Sequence, residues 1–251
     1  MRLAVVTPYF REPIETLRRC HDSVAVQSRA DVVHILVADG HPRPEIDGLA
    51  RCQHIPLPVG HGDSGDAPRL VGCASAAAQM FDGVLLLDAD NWYEPEHVET
   101  LLAVQRDRQV PLVTAARRLI RPDTGESLGV CSESDGERFT DTNCYLVMHP
   151  AYFLFAAWGL RDRQKALAIG SLGDRLFWQA VTASKVPRAH SPAATVNYET
   201  AYAVHYLARG LALPAFAKVN VWMTAERRYR LVPYREYRDL VAAGATADQG
   251  F

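Results

Sequence analysis

Two aspartates, Asp88 and Asp90, directly follow a run of apolar residues in the segment LLLDADNW (85–92). In an extended chain, residues two positions apart point the same way, so both carboxylates are expected on one side. Such a pair is stable when a cation or water lies between its members, and a hard divalent cation that carries phosphate oxygens meets this need. For an isolated D-x-D motif, a helix cap or a solvated turn is the alternative. The position of this motif at the end of a strongly apolar strand favours a metal site.

Two other apolar runs also end in polar residues. LAVVT (3–7) leads into a Thr-Pro-Tyr sequence, and VVHILVAD (32–39) ends in an aspartate. In an open α/β sheet, ligands bind in the crevice beyond the carboxyl ends of the strands. We therefore expect three strand ends to converge on one crevice. The residues expected there are Thr7, Pro8, Tyr9, Asp39, Asp88, Ala89 and Asp90.

The elements that would position these residues alternate along the first half of the chain. HIPLPV (54–59) is a weaker apolar run, and helical patterns of ten or more residues start near Pro13 and Pro68. Continuous apolar strands joined by helices of this length indicate a parallel sheet that is covered on both faces. The second half is less regular. Strands are predicted there at 110–120 and 143–149, helices from 95 and around 151–158, 172–183 and 199–209, and an amphipathic segment at 234–243.

Composition excludes several classes of protein. Of the 251 residues, 48% are hydrophobic, which excludes disorder and a coiled coil, and 27 basic side chains against 29 acidic ones leave no global field for nucleic acid. Five cysteines without a C-x-x-C motif indicate reduced thiols. The start, MRLAVVTPYF, has no signal pattern, and the longest apolar stretch is interrupted at His149 and Pro150. We therefore expect a cytoplasmic protein with no transmembrane segment and no nucleic-acid partner.

Four segments, taken in order, resemble the nucleotide-sugar-binding half of family 2 glycosyltransferases. They are VVTPYFREPIETLRRCHDSV, HILVADG, PRLVGCASA and LLLDADNWYEPEHV, and the resemblance is good over residues 3–105. It implies a single GT-A-like α/β domain over 1–251, with a central, mostly parallel sheet and helices on both faces. Residues 1–105 would form the nucleotide-sugar-binding half, and residues 106–251 the acceptor-side half.

The resemblance also implies an activity. Members of this family transfer a sugar from a nucleotide diphosphate donor to an acceptor hydroxyl with inversion at the anomeric carbon, and a UDP-sugar is the donor expected here. A divalent ion, Mn²⁺ or Mg²⁺, neutralises the departing diphosphate. Neither the sugar nor the acceptor can be named from the residues, because the resemblance fades in the second half.

The same resemblance assigns roles to single residues. On the donor side, two positions depart from the family pattern: Ala38 stands where an aspartate often precedes Asp39, and Leu70 stands where an asparagine often follows the arginine. Related enzymes often use a late histidine as a metal ligand, which points to His205, although a histidine satisfied within the fold is the alternative. The other implied residues are Thr7, Pro8, Tyr9 and Asp39 for the base, Arg69 beside the donor, Asp88 beside the ribose and Asp90 for the metal.

The catalytic base is expected far from the D-x-D motif in the sequence. One carboxylate must take the proton of the acceptor hydroxyl, and it must face the anomeric carbon from the side opposite the diphosphate. Asp174 in GSLGDRLFWQAV (170–181) fits, because the start of a helix favours an ionised carboxyl. Aspartate is equally a favoured helix N-cap, so capping alone is the alternative. Family members usually have Glu-Asp here, and Gly173 replaces the glutamate.

Other functions stay open on the sequence alone. The loop Gly60–Gly65 fits G-x-G-x-x-G, which would imply an NAD-binding oxidoreductase, but it follows the third strand, and Asp63 and Asp66 would place negative charge at the pyrophosphate. A loop that shapes the donor pocket, or a linker, is favoured instead. A non-catalytic nucleotide-sugar-binding protein is a further alternative, and a nucleotidyltransferase lacks its glycine-rich loop after LAVVT.

The segment ERRYRLVPYREYRDL (226–240) alternates arginine with tyrosine. It is interpreted either as a solvated amphipathic helix or as a rim that meets a phosphorylated or lipid-linked acceptor or a membrane surface.

Overall fold

The computed structural model describes residues 1–29, 31–159, 173–223, 228–242 and 246–247. These residues form two compact units. The first unit contains Met1–Arg118, Val130–Leu160 and Gly173–Tyr198, and the second contains Leu119–Gly129 and the described part of Glu199–Phe251. Among the predicted site residues, His205 belongs to the second unit and the others to the first. The expectation of one domain over 1–251 stays a prediction.

Strands and helices alternate along the first half of the chain, as predicted. The strands are β1 (Leu3–Tyr9), β2 (Val32–Asp39), β3 (Cys52–Leu57), β4 (Gly83–Leu86), β5 (Trp92–Tyr93), β6 (Leu112–Ile120), β7 (Ser127–Val130), β8 (Tyr145–Met148), β9 (Arg188–Glu199), β10 (Lys218–Met223), β11 (Arg228–Pro233) and β12 (Thr246–Ala247). The α-helices are α1 (Ile14–Ala25), α2 (Asp66–Ala78), α3 (His97–Arg108), α4 (Ala156–Gly159), α5 (Gly173–Ser184), α6 (Ala203–Leu207) and α7 (Tyr234–Ala242). Short 3₁₀ helices cover Pro44–Ile46, Thr142–Cys144 and His149–Phe155.

A nine-stranded sheet has the strand order β3-β2-β1-β4-β8-β6-β9-β5, and β7 pairs with β6. The first four of these strands pair in parallel. The pairs β4–β8, β6–β8 and β5–β9 are antiparallel. The α/β fold is therefore confirmed, and its sheet is mixed: the parallel part comes from the first half of the chain and the antiparallel part mainly from the second. A separate sheet has the order β11-β10-β12.

Side chains of the parallel strands alternate between two cores. Ala4 and Val6 of β1 belong to one core together with Cys73 of α2. Leu3 and Val5 belong to the other, together with residues of α1 and α3. This alternation follows from the two-residue period of extended chain, and it explains why a strand covered on both faces is apolar throughout. The covered faces fix β1, β2 and β4 side by side, so their ends are held at one edge.

In the second half the structure adds a strand that was not predicted and corrects one predicted helix. The segment Arg188–Glu199 forms the long strand β9, which its proline and scattered polar residues did not indicate. The helix expected at 199–209 is limited to Ala203–Leu207. Pairing within the sheet overrides the local pattern here, because strand preference depends strongly on neighbouring strands. Within the described residues, no helix has the length and apolarity needed to cross a bilayer. The five cysteine thiols are all free of disulfides.

Candidate active site

The polar ends of β1, β2 and β4 meet at one edge of the sheet, within the first unit. Tyr9 at the end of β1 pairs with Ala38 of β2, and Val6 pairs with Leu86 of β4. The residues that follow β2 and β4 in the chain therefore continue from the same edge. Asp39 is the last residue of β2, and the D-x-D motif begins two residues after β4.

Asp88 is held on both carboxylate oxygens. Arg69 of α2 donates from Nη2 to Asp88 Oδ1 at 2.6 Å, and Asn143 donates from Nδ2 to Oδ2 at 3.0 Å. Asn143 also accepts the backbone N–H of Asp88. The guanidinium of Arg69 is buried and lies 5.4 Å from the ring centre of Trp158. Charge-assisted hydrogen bonds to a buried guanidinium are strong and directional, so this carboxylate has a fixed position.

Asp90 has a different environment from Asp88. Its side chain is exposed, whereas its backbone carbonyl accepts a hydrogen bond from Arg19 Nη2 at 2.7 Å. Arg19 in turn lies over the ring of Trp92, 4.3 Å from its centre. Residues 88–91 form a turn in which Asn91 N–H bonds to Asp88 O at 3.0 Å, so the extended geometry assumed for the motif does not apply. The main chain of Asp90 is fixed, and its carboxylate reaches the surface.

The carboxylate of Asp39, at the end of β2, accepts hydrogen bonds from the glycine-rich loop Gly60–Gly65. Both carboxylate oxygens of Asp39 accept the backbone N–H of His61 at 3.1 Å, and His61 Nδ1 lies 2.6 Å from Oδ1. Gly65 in the same loop has a φ of +86°, and a Cβ there would lie 3.1 Å from Pro8 Cγ. The loop thus packs on the ends of β1 and β2, as expected for one that shapes a pocket.

The glycine-rich loop is poorly suited to a pyrophosphate. Asp63 accepts the backbone N–H of Ala67 at 3.1 Å, and Asp66 lies in the first turn of α2. Carboxylates therefore stand at this helix start, where a dinucleotide would need to place its own negative charge. This geometry argues against the oxidoreductase alternative.

Thr7 and Tyr9 are buried and hydrogen-bonded to histidines. Thr7 Oγ1 lies 2.8 Å from His34 Nε2. Tyr9 Oη lies 2.6 Å from His54 Nε2 and accepts the backbone N–H of Arg43 at 2.9 Å. Burial raises the pKa of Tyr9 to about 12, so the phenol is neutral and acts as a hydrogen-bonding group. Because the Thr7 side chain is fully buried and bonded to His34, any contact of Thr7 with a ligand would use its main chain.

Asp174 lies in the first turn of α5, and its Oδ1 accepts the backbone N–H of Arg175 at 2.7 Å. Burial, followed by the nearby carboxylate of Asp141, raises the pKa of Asp174 to about 6. The positive charges of Arg175 and Arg117 partly oppose this rise. A carboxyl with this pKa is ionised at neutral pH and is a better proton acceptor than an ordinary aspartate.

Asn143 connects the two carboxylates on either side of it. Besides Asp88, its Nδ2 donates to Asp141 Oδ1 at 2.7 Å. Asp141 also forms an ion pair with the buried Arg117. A polar network thus runs from Asp88 to Asp141, whose charge acts on Asp174. These links join Asp88, Asn143 and Asp141 by hydrogen bonds, and Asp174 is near enough to Asp141 to be affected by its charge.

Asp141, Asn143 and Arg117 were not identified from the sequence. A signal exists in the segment DTNCYLV (141–147), where polar residues directly precede an apolar strand. That strand, β8, is antiparallel to β4, so its amino end lies at the edge where the parallel strands have their carboxyl ends. The direction of a strand cannot be inferred from its own residues, and for this reason the signal was missed.

His205 lies in α6 of the second unit and is buried. Its Nδ1 is 2.6 Å from Thr200 Oγ1, so a bond to a metal would use Nε2. Its role as a metal ligand stays a prediction.

The family model described as "Glycosyl transferase family 2" matches residues 4–144. Among curated proteins, none matches this chain. The structure of Staphylococcus aureus (S. aureus) TarS is similar, with a TM-score of 0.59 and 14% identity over 80% of this chain and 37% of that chain.

Two structures of S. aureus TarS 1–349 are also similar. The complex with UDP has a TM-score of 0.57 and 14% identity over 83% of this chain and 63% of that one. The complex with UDP-GlcNAc has a TM-score of 0.57 and 15% identity over 86% of this chain and 62% of that one. The present chain thus spans less than two thirds of each of these proteins, and at such identities the likeness is one of fold.

Proposed function

Because this chain belongs to glycosyl transferase family 2 and has the GT-A fold, we propose that it transfers a sugar from a nucleotide diphosphate donor to an acceptor hydroxyl, with inversion at the anomeric carbon. The observation that carries the proposal is the fixed position of Asp88 between Arg69 and Asn143, beside the exposed Asp90. The TarS structures with UDP and UDP-GlcNAc support a UDP-sugar as the donor.

The donor would lie along the edge formed by the ends of β1, β2 and β4. Asp39 already accepts two N–H groups of His61, so it is suited to accept an N–H of the nucleotide base in place of one of them. The neighbouring residues Thr7, Pro8 and Tyr9 would form the wall beside the base. The carboxylate of Asp88 would accept a ribose hydroxyl, since its position is set by the buried Arg69, and Ala89 would let the donor approach the main chain.

The residues at the turn fit a divalent cation. The carboxylate of Asp90 reaches the surface on a fixed main chain, and hard cations prefer such oxygen ligands together with phosphate oxygens and water. Asp88 is less suited, because Arg69 and Asn143 already bond both of its oxygens. Mn²⁺ or Mg²⁺ held there would supply Lewis-acid stabilisation of the departing diphosphate. His205, in the second unit, is proposed as a metal ligand through Nε2 on the family resemblance alone.

Asp174 is proposed as the general base. With a pKa of about 6 it is ionised at neutral pH, and it would take the proton of the acceptor hydroxyl as that oxygen attacks the anomeric carbon. The negative charge of Asp141 makes the carboxylate more basic, while Arg175 keeps it ionised. The proposed acceptor is a phosphorylated or lipid-linked hydroxyl compound. The proposed location is the cytoplasm, which the five free thiols support.

A thermal-shift experiment tests the donor part of this proposal. UDP and a panel of UDP-sugars are added with and without Mn²⁺, and NAD(H) serves as the negative control. Stabilisation follows mass action and is about 2.7 kcal/mol at a hundredfold excess over the dissociation constant. A shift with UDP that requires Mn²⁺, followed by release of UDP from a UDP-sugar, supports the transferase. Binding without any release under all acceptor conditions would favour the non-catalytic alternative, and no shift with any uridine nucleotide would refute the donor class.

A further inference from the structure

Gly173 precedes the proposed base and has no room for a side chain. A Cβ built at residue 173 would lie 1.8 Å from Oδ1 of Asp66 and 2.7 Å from its Cγ. Gly173 is the first residue of α5, and helical backbone accepts other residues. The glycine is therefore required by space: the carboxylate of Asp66 fills the volume into which a side chain at 173 would project.

Asp66 reaches this volume from a different helix. It lies in the first turn of α2, is 1% exposed, and its Oδ1 lies 3.4 Å from Nη1 of Arg69. The other terminal nitrogen of the same guanidinium, Nη2, bonds to Asp88. One buried arginine thus joins two carboxylates, one at the donor end of the site and one against the first residue of α5.

The start of α2 does not by itself explain a buried aspartate. An acidic side chain in the first turn of a helix interacts with the helix dipole equally well when it is solvated. Asp63 already accepts a backbone N–H of this turn, that of Ala67. Removing a carboxylate from water is costly unless partners compensate it. Arg69 compensates this cost in part, and the contact with Gly173 places the Asp66 carboxylate directly against the start of α5.

We propose that Asp66 supplies from α2 the carboxylate that family members usually carry at position 173, and that it positions Asp174 relative to the donor. The inference rests on the proposed function, because it takes Asp174 as the base. Asp66 is a positioning residue: it acts on Asp174 through the start of α5 and on Asp88 through Arg69. The exchange of a side chain between two helices would explain how this chain lacks the family glutamate and keeps the site complete.

Reciprocal variants test the contact. Gly173→Glu should lower the melting temperature by about 5 °C or more, because overpacking a filled site is destabilising. Asp66→Ala combined with Gly173→Glu should recover most of that loss, since the new side chain then occupies the vacated space. Glu99→Gln serves as the control: it removes a partly exposed acidic side chain from the first turn of α3, where its partners are Arg29 and Arg106.

Turnover and donor binding test the positioning role. Asp66→Asn keeps the volume but removes the charge that pairs with Arg69, so its kcat should fall tenfold or more, a larger factor than the change in KM for the donor. The double variant Asp66→Ala/Gly173→Glu should regain at least a third of the wild-type kcat. Turnover of Asp66→Asn within twofold of wild type would overturn the inference, as would a double variant that regains its melting temperature but stays as slow as Asp66→Ala. A wild-type chain that binds UDP-sugars but never releases UDP would instead refute the proposed function, and the inference would fall with it.

Discussion

Replacement of Asp174 by asparagine should slow the reaction and, at neutral pH, stabilise the fold. The folded-state pKa of Asp174 is about 6, against an ordinary value of 3.8. A raised carboxyl pKa means that the folded protein binds the proton more tightly than the unfolded chain does. The stabilisation is therefore complete below pH 3.8 and is lost as the pH rises through about 6.

These two pKa values set the expected size of the effect. The carboxyl contributes roughly 1.4 kcal/mol to the free energy of unfolding at pH 5 and almost nothing at pH 8. Asp174 keeps some contact with solvent, so the measured free energy of unfolding of the wild type should fall by only about 1 kcal/mol from pH 5 to pH 8. Asparagine stays neutral, so the variant does not lose this contribution. The free energy of unfolding of Asp174→Asn minus that of wild type should therefore rise by about 1 kcal/mol from pH 5 to pH 8.

Urea denaturation of both proteins at pH 5, 6, 7 and 8 measures this difference. Asp107→Asn is the matched control, because it makes the same change at an exposed position of α3 and should give a flat difference. The kcat of Asp174→Asn should fall by ~10²–10⁴-fold, and wild-type kcat/KM should decline below about pH 6 as the base protonates. A flat stability difference would show that the carboxyl is not desolvated. More than a third of wild-type turnover would show that Asp174 is only a cap, since asparagine caps as well as aspartate.

Four further outcomes are expected. Asp90→Asn should weaken UDP binding in Mn²⁺ by about tenfold or more, or ~1.4 kcal/mol, in calorimetry; equal affinity in EDTA and in Mn²⁺ would contradict the metal site. Arg69→Ala leaves the buried carboxylate of Asp66 and the partly exposed one of Asp88 without their guanidinium and should cost about 3 kcal/mol in chemical denaturation; a loss below 1 kcal/mol would mean that the ion pairs are solvated. His61→Ala removes the imidazole that occupies the Asp39 carboxylate, the proposed acceptor for the nucleotide base, so UDP should bind about threefold or more tightly; weaker binding would show that the histidine contacts the ligand. If His205 is a metal ligand, protonation of its imidazole should weaken Mn²⁺ affinity below about pH 6.5, and His205→Ala should abolish this pH dependence; an unchanged pH profile would exclude this ligand.

The first half of the fold could be predicted because its strands are covered on both faces. A strand such as β2 must then be apolar at nearly every position, and this pattern is visible without knowledge of its neighbours. Strand β9 has no such pattern, since its burial alternates irregularly, and its structure depends on partners that are distant in the chain. The helix predicted at 199–209 was too long for the same reason, because Glu199 at its start belongs to β9.

The site could be predicted only where a side chain follows an apolar strand in sequence. Asp39, Asp88 and Asp90 were proposed in this way, and Arg69 through the family resemblance. Asn143 and Asp141 reach the site from the amino end of an antiparallel strand, 55 residues along the chain from Asp88 in the case of Asn143. Asp66 was noted only as a charge that opposes pyrophosphate binding, because its contact with Gly173 joins two helices that no local pattern connects.

The position of β8 in the sheet determines when this protein can fold during synthesis. The strand lies between β4 and β6, although it follows β4 by about sixty residues in the chain. Until the ribosome has released residue 148, the outer edge of β4 has no partner, and an unpaired apolar edge is prone to join other chains. Residues 1–105 are therefore not expected to fold autonomously. A fragment that ends at residue 105 should aggregate, whereas one that continues to the end of β8 gives β4 its partner on the side opposite β1.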